Sequence, residues 1–293
     1  MEITFNIPLG IDIEFNEACN ASCVFCPVNI NPRRKNKHMS LEDSDIIFKK
    51  LEKQTIDYIS FSVFNEPLLD PLFFQRIEQL RKYKLYKKLV LHTNGILLTQ
   101  KILDFLQEKD LKRMVFNFPS AIEEEWSVQM GGMHKKHFLP TLDNILSFCK
   151  LHKNVPVTIE MNRKLFLEQP EEYRNNLSQL FGPSVYINIG PLINQAGNIN
   201  NEHVESPPIN RIFNHTFCRD GKLLNSITIN YDGDCRLCCK DYQKKYTVGN
   251  ILTDSIKDIL TSKESKRLIS QIYGSNSKDK DLLCKNCTNF LTI

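Results

Sequence analysis

The chain has 293 residues, ten of them cysteine, and a formal net charge of +4 at pH 7. That length holds a core-bearing domain of about 200 residues and a smaller appendage. The mild charge gives no ground for a nucleic-acid partner, no uncharged run approaches the ~18 residues that span a bilayer, and Glu2, Asp12 and Glu14 exclude a basic-then-apolar leader. A cytoplasmic protein with reduced thiols is expected, because so many cysteines suit metal or cluster ligation in a reducing compartment better than disulfides.

Apolar alternation at Ile11, Ile13 and Phe15 predicts a strand over 11–16, which runs into Cys19-Asn-Ala-Ser-Cys23-Val-Phe25-Cys26. Three thiolates on one loop suit a four-iron cluster with one iron left open, since zinc sites and complete iron-sulfur sites take four protein ligands and no fourth Cys is near. Unrelated buried thiols, or a zinc loop, are the alternatives. The basic run over 32–38 reads as a solvated loop. A helix is predicted over 41–53, with Ser40 and Asp43 as its capping box, and another over 71–83 with Pro71 at a permitted early position. Further strands fall at 58–63, 88–92, 113–118, 155–161 and 184–189, with a helix over 141–151. The glycines of 130–133 read as a turn, and Trp126 and Cys149 as packing residues.

Residues 190–208 hold many Asn, Gly and Pro without periodicity and read as a connection. Six of the ten thiols follow, in the last 76 residues: Cys218, Cys235, Cys238, Cys239, Cys284 and Cys287. Residues 226–230 with Asp232-Gly233 predict a hairpin, 235–239 its returning strand, and 255–272 a helix. Two Cys-x-x-Cys spacings also match zinc, but the 45 residues between Cys238 and Cys284 exceed the usual ribbon spacing of about 15 to 20.

Cys19, Cys23 and Cys26, with Phe25 before the third Cys, resemble the signature of radical S-adenosylmethionine (SAM) enzymes. Asn65-Glu66-Pro67 is similar to that family's Gly-Gly-Glu-Pro turn, with Asn in place of Gly; Asn is among the residues best able to adopt positive φ. Thr93-Asn94-Gly95 looks like the turn after the family's third strand. The resemblance implies an α/β fold: an open partial (β/α)6 TIM-like barrel over 1–205, and a small cysteine-rich α+β domain of SPASM or shortened twitch type over 206–293. It implies that Cys19, Cys23 and Cys26 hold a [4Fe-4S] cluster, that Phe25 lies near the adenine of SAM, and that Asn65, Glu66 and Asn94 hold SAM, with Asn117 a candidate for its ribose.

For the tail, the resemblance implies an auxiliary [4Fe-4S] cluster on Cys218, Cys238, Cys284 and Cys287, with Cys239 able to replace Cys238 because neighbours on a strand face opposite ways. It further implies a 5′-deoxyadenosyl radical that takes a hydrogen atom from the substrate. If the auxiliary cluster accepts an electron, the result is dehydrogenation, as in the aminocyclitol dehydrogenase that typifies twitch proteins. If a surplus thiol, Cys235 or Cys239, returns hydrogen, the result is epimerisation; these two are the catalytic candidates. An electron donor such as flavodoxin or ferredoxin is expected. The first strand begins about ten residues into the chain, leaving no leader-peptide segment, which favours a sugar, aminosugar or aminocyclitol over a peptide. A peptide-modifying maturase and a catalytically silent iron-sulfur or zinc protein are the other readings.

Overall fold

The computed structural model of the chain describes residues 8–32, 37–106, 111–204, 216–218, 221–273, 282–288 and 290–292. Its first two thirds carry six strands: β1 (Leu9–Ile13), β2 (Ile56–Ser60), β3 (Leu89–Thr93), β4 (Arg113–Asn117), β5 (Val157–Asn162) and β6 (Val185–Gly190). Each overlaps an expected strand. Neighbours pair in parallel throughout, so each step needs a crossover. Helices supply them: α1 (Pro27–Ile30), α2 (Leu41–Leu51), α3 (Phe73–Lys82), α4 (Gln100–Phe105), α5 (Glu123–Gln129), α6 (Phe138–Leu151), α7 (Arg163–Glu168) and α8 (Glu171–Phe181).

The start of α2 follows from its sequence. Ser40 Oγ accepts from the Asp43 N–H at 3.0 Å, and Glu42 and Asp43 sit at the positive end of the helix, Lys49 and Lys50 at the negative. Its inner face buries Ile47, Phe48 and Leu51, and the Phe48 ring lies 5.9 Å from Phe15 and 6.4 Å from Phe61. Helix α6 begins three residues before the expected 141, because Pro140 falls in its first turn, where a missing N–H costs no hydrogen bond.

The tail contains β7 (Thr216–Cys218), α9 (Lys222–Asn225), β8 (Ser226–Ile229), β9 (Asp234–Arg236), β10 (Gly249–Asn250), α10 (Ile256–Thr261), α11 (Lys263–Tyr273) and β11 (Phe290–Thr292). Strand β8 lies parallel to β1, pairing Gly10 with Ser226 through Ile13 with Ile229. One nine-stranded sheet results, in the order β10-β9-β8-β1-β2-β3-β4-β5-β6, while β7 and β11 form a separate antiparallel pair. Among the described residues β6 and β10 are unpaired edges, so the barrel is open. The expected division at 205/206 lies outside the described residues, as do residues 33–36 of the basic run.

Two expectations for the tail change. The returning strand of the hairpin ends at Arg236, and the Asp241 N–H closes on the Cys238 carbonyl at 3.2 Å, so Cys238 and Cys239 lie in a turn. The helix expected over 255–272 is two, because Ser262 leaves the helical conformation and its Oγ accepts from the Ser265 N–H at 3.1 Å, capping α11. No described helix is long and apolar enough to cross a membrane.

Candidate active site and cluster cysteines

Parallel strands deliver their chemistry at their C-terminal ends, and here the loops after β1, β2 and β3 converge there. The cysteine loop is held by neighbours on three sides. The Glu66 N–H donates to the Ala18 carbonyl at 2.8 Å, the Val24 N–H to the Gln129 carbonyl at 3.0 Å, and Asn94 Nδ2 to Asn20 Oδ1 at 2.7 Å. Gly131, at φ +77°, lies so close that a Cβ there would sit 1.8 Å from the Ser22 carbonyl oxygen. Only glycine meets both conditions.

Cys19, Cys23 and Cys26 line one cavity of about 800 Å³, together with Phe25, Asn65, Glu66, Asn94, Asn117 and Cys239. The volume suits a cofactor and a small substrate. Burial pushes the Cys19 thiol up to about 11, and burial with the neighbouring Cys26 and Cys19 pushes Cys23 well above its usual value. Three crowded thiols that resist ionisation need a cationic partner, and iron is one.

Glu66 caps the short 3-10 turn Pro67–Leu69. Its Oε1 accepts from the Leu68 N–H at 3.1 Å and from Thr93 Oγ1 at 2.7 Å, and its Oε2 from the Asn94 N–H at 2.9 Å. Burial nonetheless raises its carboxyl to about 7. Asn65 corrects an expectation, since it is not among the residues at positive φ. It tightens the turn through its side chain instead: Oδ1 accepts from the Val63 N–H at 3.0 Å and Nδ2 donates to the Phe61 carbonyl at 3.0 Å. Gly95, at φ +78°, takes the left-handed position in the next turn.

Sequence reasoning missed a polar trio on the cavity wall. Lys222, at the start of α9, donates to Tyr58 Oη at 2.7 Å, and Tyr58 donates to Asp12 Oδ2 at 3.5 Å, with Lys222 Nζ 3.8 Å from the same oxygen. Gly10 makes room, since a Cβ there would lie 2.4 Å from the Tyr58 ring. Burial is the largest influence on Lys222 and opposes its charge, but Asp12, Cys239 and Tyr58 together outweigh it and the ammonium pKa is raised; burial raises Asp12, with Lys222 pulling the other way. A signal was present, because parallel strands buried on both faces are ordinarily apolar throughout, and Asp12 and Glu160 interrupt β1 and β5.

The tail thiols divide. Cys238 and Cys284 line a small separate space with Leu223, Tyr246 and Leu268. Burial, then Cys287 and Cys218, push Cys284 up to about 12, and burial, then Cys218 and Cys284, raise the Tyr273 hydroxyl. Cys218, Cys238, Cys284 and Cys287 are thus close enough to act on one another. Cys239 faces the main cavity beside Asp12 and Lys222. Cys235 reaches neither space: it is fully buried in β9, its thiol 3.5 Å from the Gly233 carbonyl oxygen. Among the described residues no three His, Cys, Asp or Glu side chains converge as a single metal ion requires; a cubane spaces its thiolates more widely than one tetrahedral zinc does.

The family model of the Radical SAM superfamily matches residues 13–180, and that of SPASM, an iron-sulfur cluster-binding domain, matches residues 218–288. The chain is 22% identical over 290 residues to the S-adenosyl-L-methionine-dependent 2-deoxy-scyllo-inosamine dehydrogenase of Niallia circulans, covering 95% of this chain and 92% of that protein. Among solved structures, BtrN in complex with AdoMet and 2-DOIA superposes with a TM-score of 0.64 at 20% identity, over 98% of this chain and 95% of that one. The anSMEcpe structure with bound AdoMet gives 0.62 at 15% identity, over 96% and 83%. With the superfamily model spanning more than half of the sequence, the chain belongs to the radical SAM superfamily, carries a C-terminal SPASM domain, and binds SAM, a [4Fe-4S] cluster and an auxiliary iron-sulfur cluster.

Proposed function

We propose that this protein is an oxidoreductase that removes a hydrogen atom from a hydroxyl-bearing carbon of an aminosugar or aminocyclitol and oxidises it to a carbonyl. The observation that carries the reading is the single cavity shared by Cys19, Cys23, Cys26 and Glu66 from the barrel and Lys222 and Cys239 from the tail. Near full-length similarity to an aminocyclitol dehydrogenase supports it.

Cys19, Cys23 and Cys26 hold the first cluster in this reading, with Phe25 against the adenine, Glu66 on the amino group of SAM, Asn65 and Asn94 shaping its loops and Asn117 on the ribose. Bound there, SAM and its cluster supply an oxidant able to take a hydrogen atom from an unactivated carbon. Cys218, Cys238, Cys284 and Cys287 hold the auxiliary cluster, an electron acceptor. An alcohol carbon that becomes a carbonyl loses a hydrogen atom, an electron and a proton. The proton falls to the protein. Asp12 is its acceptor, held by Tyr58 and Lys222, and the Lys222 ammonium stabilises the oxygen as negative charge develops. A flavodoxin or ferredoxin supplies the reducing electron.

Epimerisation is the second reading, favoured by Cys239 alone, because its thiol lines the cavity and burial pushes it up to about 11, keeping its hydrogen in place. Incubation with 2-deoxy-scyllo-inosamine in deuterated water separates the two. The expected product has lost two hydrogens and carries no new carbon-bound deuterium. An isomer at the same oxidation state with one hydrogen at carbon replaced by deuterium, absent in Cys239→Ala, would overturn the dehydrogenase reading.

A further inference from the structure

Four carboxylates line the cavity, and three have partners in the protein. Glu66 accepts three hydrogen bonds, Asp12 has Tyr58 and Lys222, and Asp57 has Lys112 Nζ at 2.6 Å. Glu160 is different. It projects from β5 in register with Asn117 of β4, and among the described residues its carboxylate accepts no hydrogen bond and faces no cation. Burial alone acts on it, and raises it.

A desolvated carboxylate without a partner is costly, and such a group persists where a ligand completes it. The ammonium of SAM already falls to Glu66. We propose, resting on the substrate reading above, that Glu160 receives an ammonium group of the substrate and makes the site selective for an amino-bearing polyol over a neutral one. The substrate is then held at two poles, its amine at Glu160 on β5 and its reacting hydroxyl at Asp12 and Lys222 beside β1.

The test is calorimetric titration of anaerobically reconstituted, SAM-loaded and unreduced protein, so that nothing turns over. The probes are 2-deoxy-scyllo-inosamine and the neutral scyllo-inositol. The amine should bind at least about tenfold more tightly, as one charged hydrogen bond allows, and Glu160→Gln should erase that preference. Affinity for SAM and iron content should not change in the variant. Without substrate, the melting temperature of Glu160→Gln should equal or exceed that of the wild type, since a half-buried carboxylate without a partner has gone. An amine preference that survives Glu160→Gln overturns the assignment. So does a tenfold loss of SAM affinity, which would give Glu160 to SAM, or a marked fall in melting temperature, which would reveal a structural partner. If the wild type binds neither probe, the aminocyclitol reading itself fails and takes this assignment with it, so the two failures are told apart.

Discussion

Arg236 on β9 reaches across β8 to Glu14, Nη2 to Oε2 at 3.2 Å, with both side chains fully buried. The other oxygen of Glu14 accepts from the Phe64 N–H at 3.0 Å, two residues before Glu66. The tail hairpin therefore braces the turn that carries Glu66. Arg236→Met should cost about 3–5 kcal/mol by stranding a buried carboxylate. Urea denaturation measures that loss, and adding Glu14→Gln should recover part of it.

Two thiol sets predict two separable clusters. Reconstituted protein should hold about eight iron and eight sulfide, by ordinary thiolate ligation. Replacing Cys19, Cys23 and Cys26 together with Ala should leave about half of each. Iron and sulfide assay decides; loss of all iron, or zinc in the tail, would refute the division.

Removing the Glu66 carboxylate should weaken SAM binding at least about tenfold while the first cluster stays, the scale of one charged hydrogen bond. The carboxyl, raised to about 7 by burial, must be ionised to pair with an ammonium. Affinity for SAM should thus be full above that pH and fall as pH drops below it, by up to about tenfold per unit. Equilibrium binding between pH 6 and 8 tests the sign.

Neighbouring glycines should behave differently. Gly131→Ala must push the Ser22 carbonyl away and should lower iron retention at the first cluster. Gly132, at φ +78° with nothing within 4 Å of its would-be Cβ, should suffer only backbone strain, about 1–3 kcal/mol. Iron content of the two variants is the comparison.

Loss of the polar trio should uncouple the reaction. Lys222→Met and Tyr58→Phe should still cleave SAM, yet release less carbonyl product per 5′-deoxyadenosine, because hydrogen abstraction does not need the proton acceptor and carbonyl formation does. Chromatographic quantification of both products gives the ratio. An unchanged ratio would remove the trio from catalysis.

Much of this was legible locally. Period-2 apolar runs gave the six barrel strands, and Ser40 with Asp43 marked the start of α2. The cavity face of the strands was harder: the apolar alternation of Ile11, Ile13 and Phe15 masks Asp12 between the first two, although a charge inside a parallel strand is itself a signal. Asn65 was assigned to the right turn for the wrong reason, because side-chain hydrogen bonds fold short polar loops as well as positive φ does. The pairing of β8 with β1 lay beyond reach, since it joins residues more than two hundred positions apart and nothing in either strand names its partner.

That pairing also sets what a change of tail would alter. Strand β1 has β2 on one side and β8 on the other. A chain stopped before the tail would expose the β1 backbone as a raw edge, open to pairing with another copy, and would strip Lys222 from the cavity. A change of tail would therefore replace one wall of the cavity, with Lys222 and Cys239, in the same step as the SPASM domain.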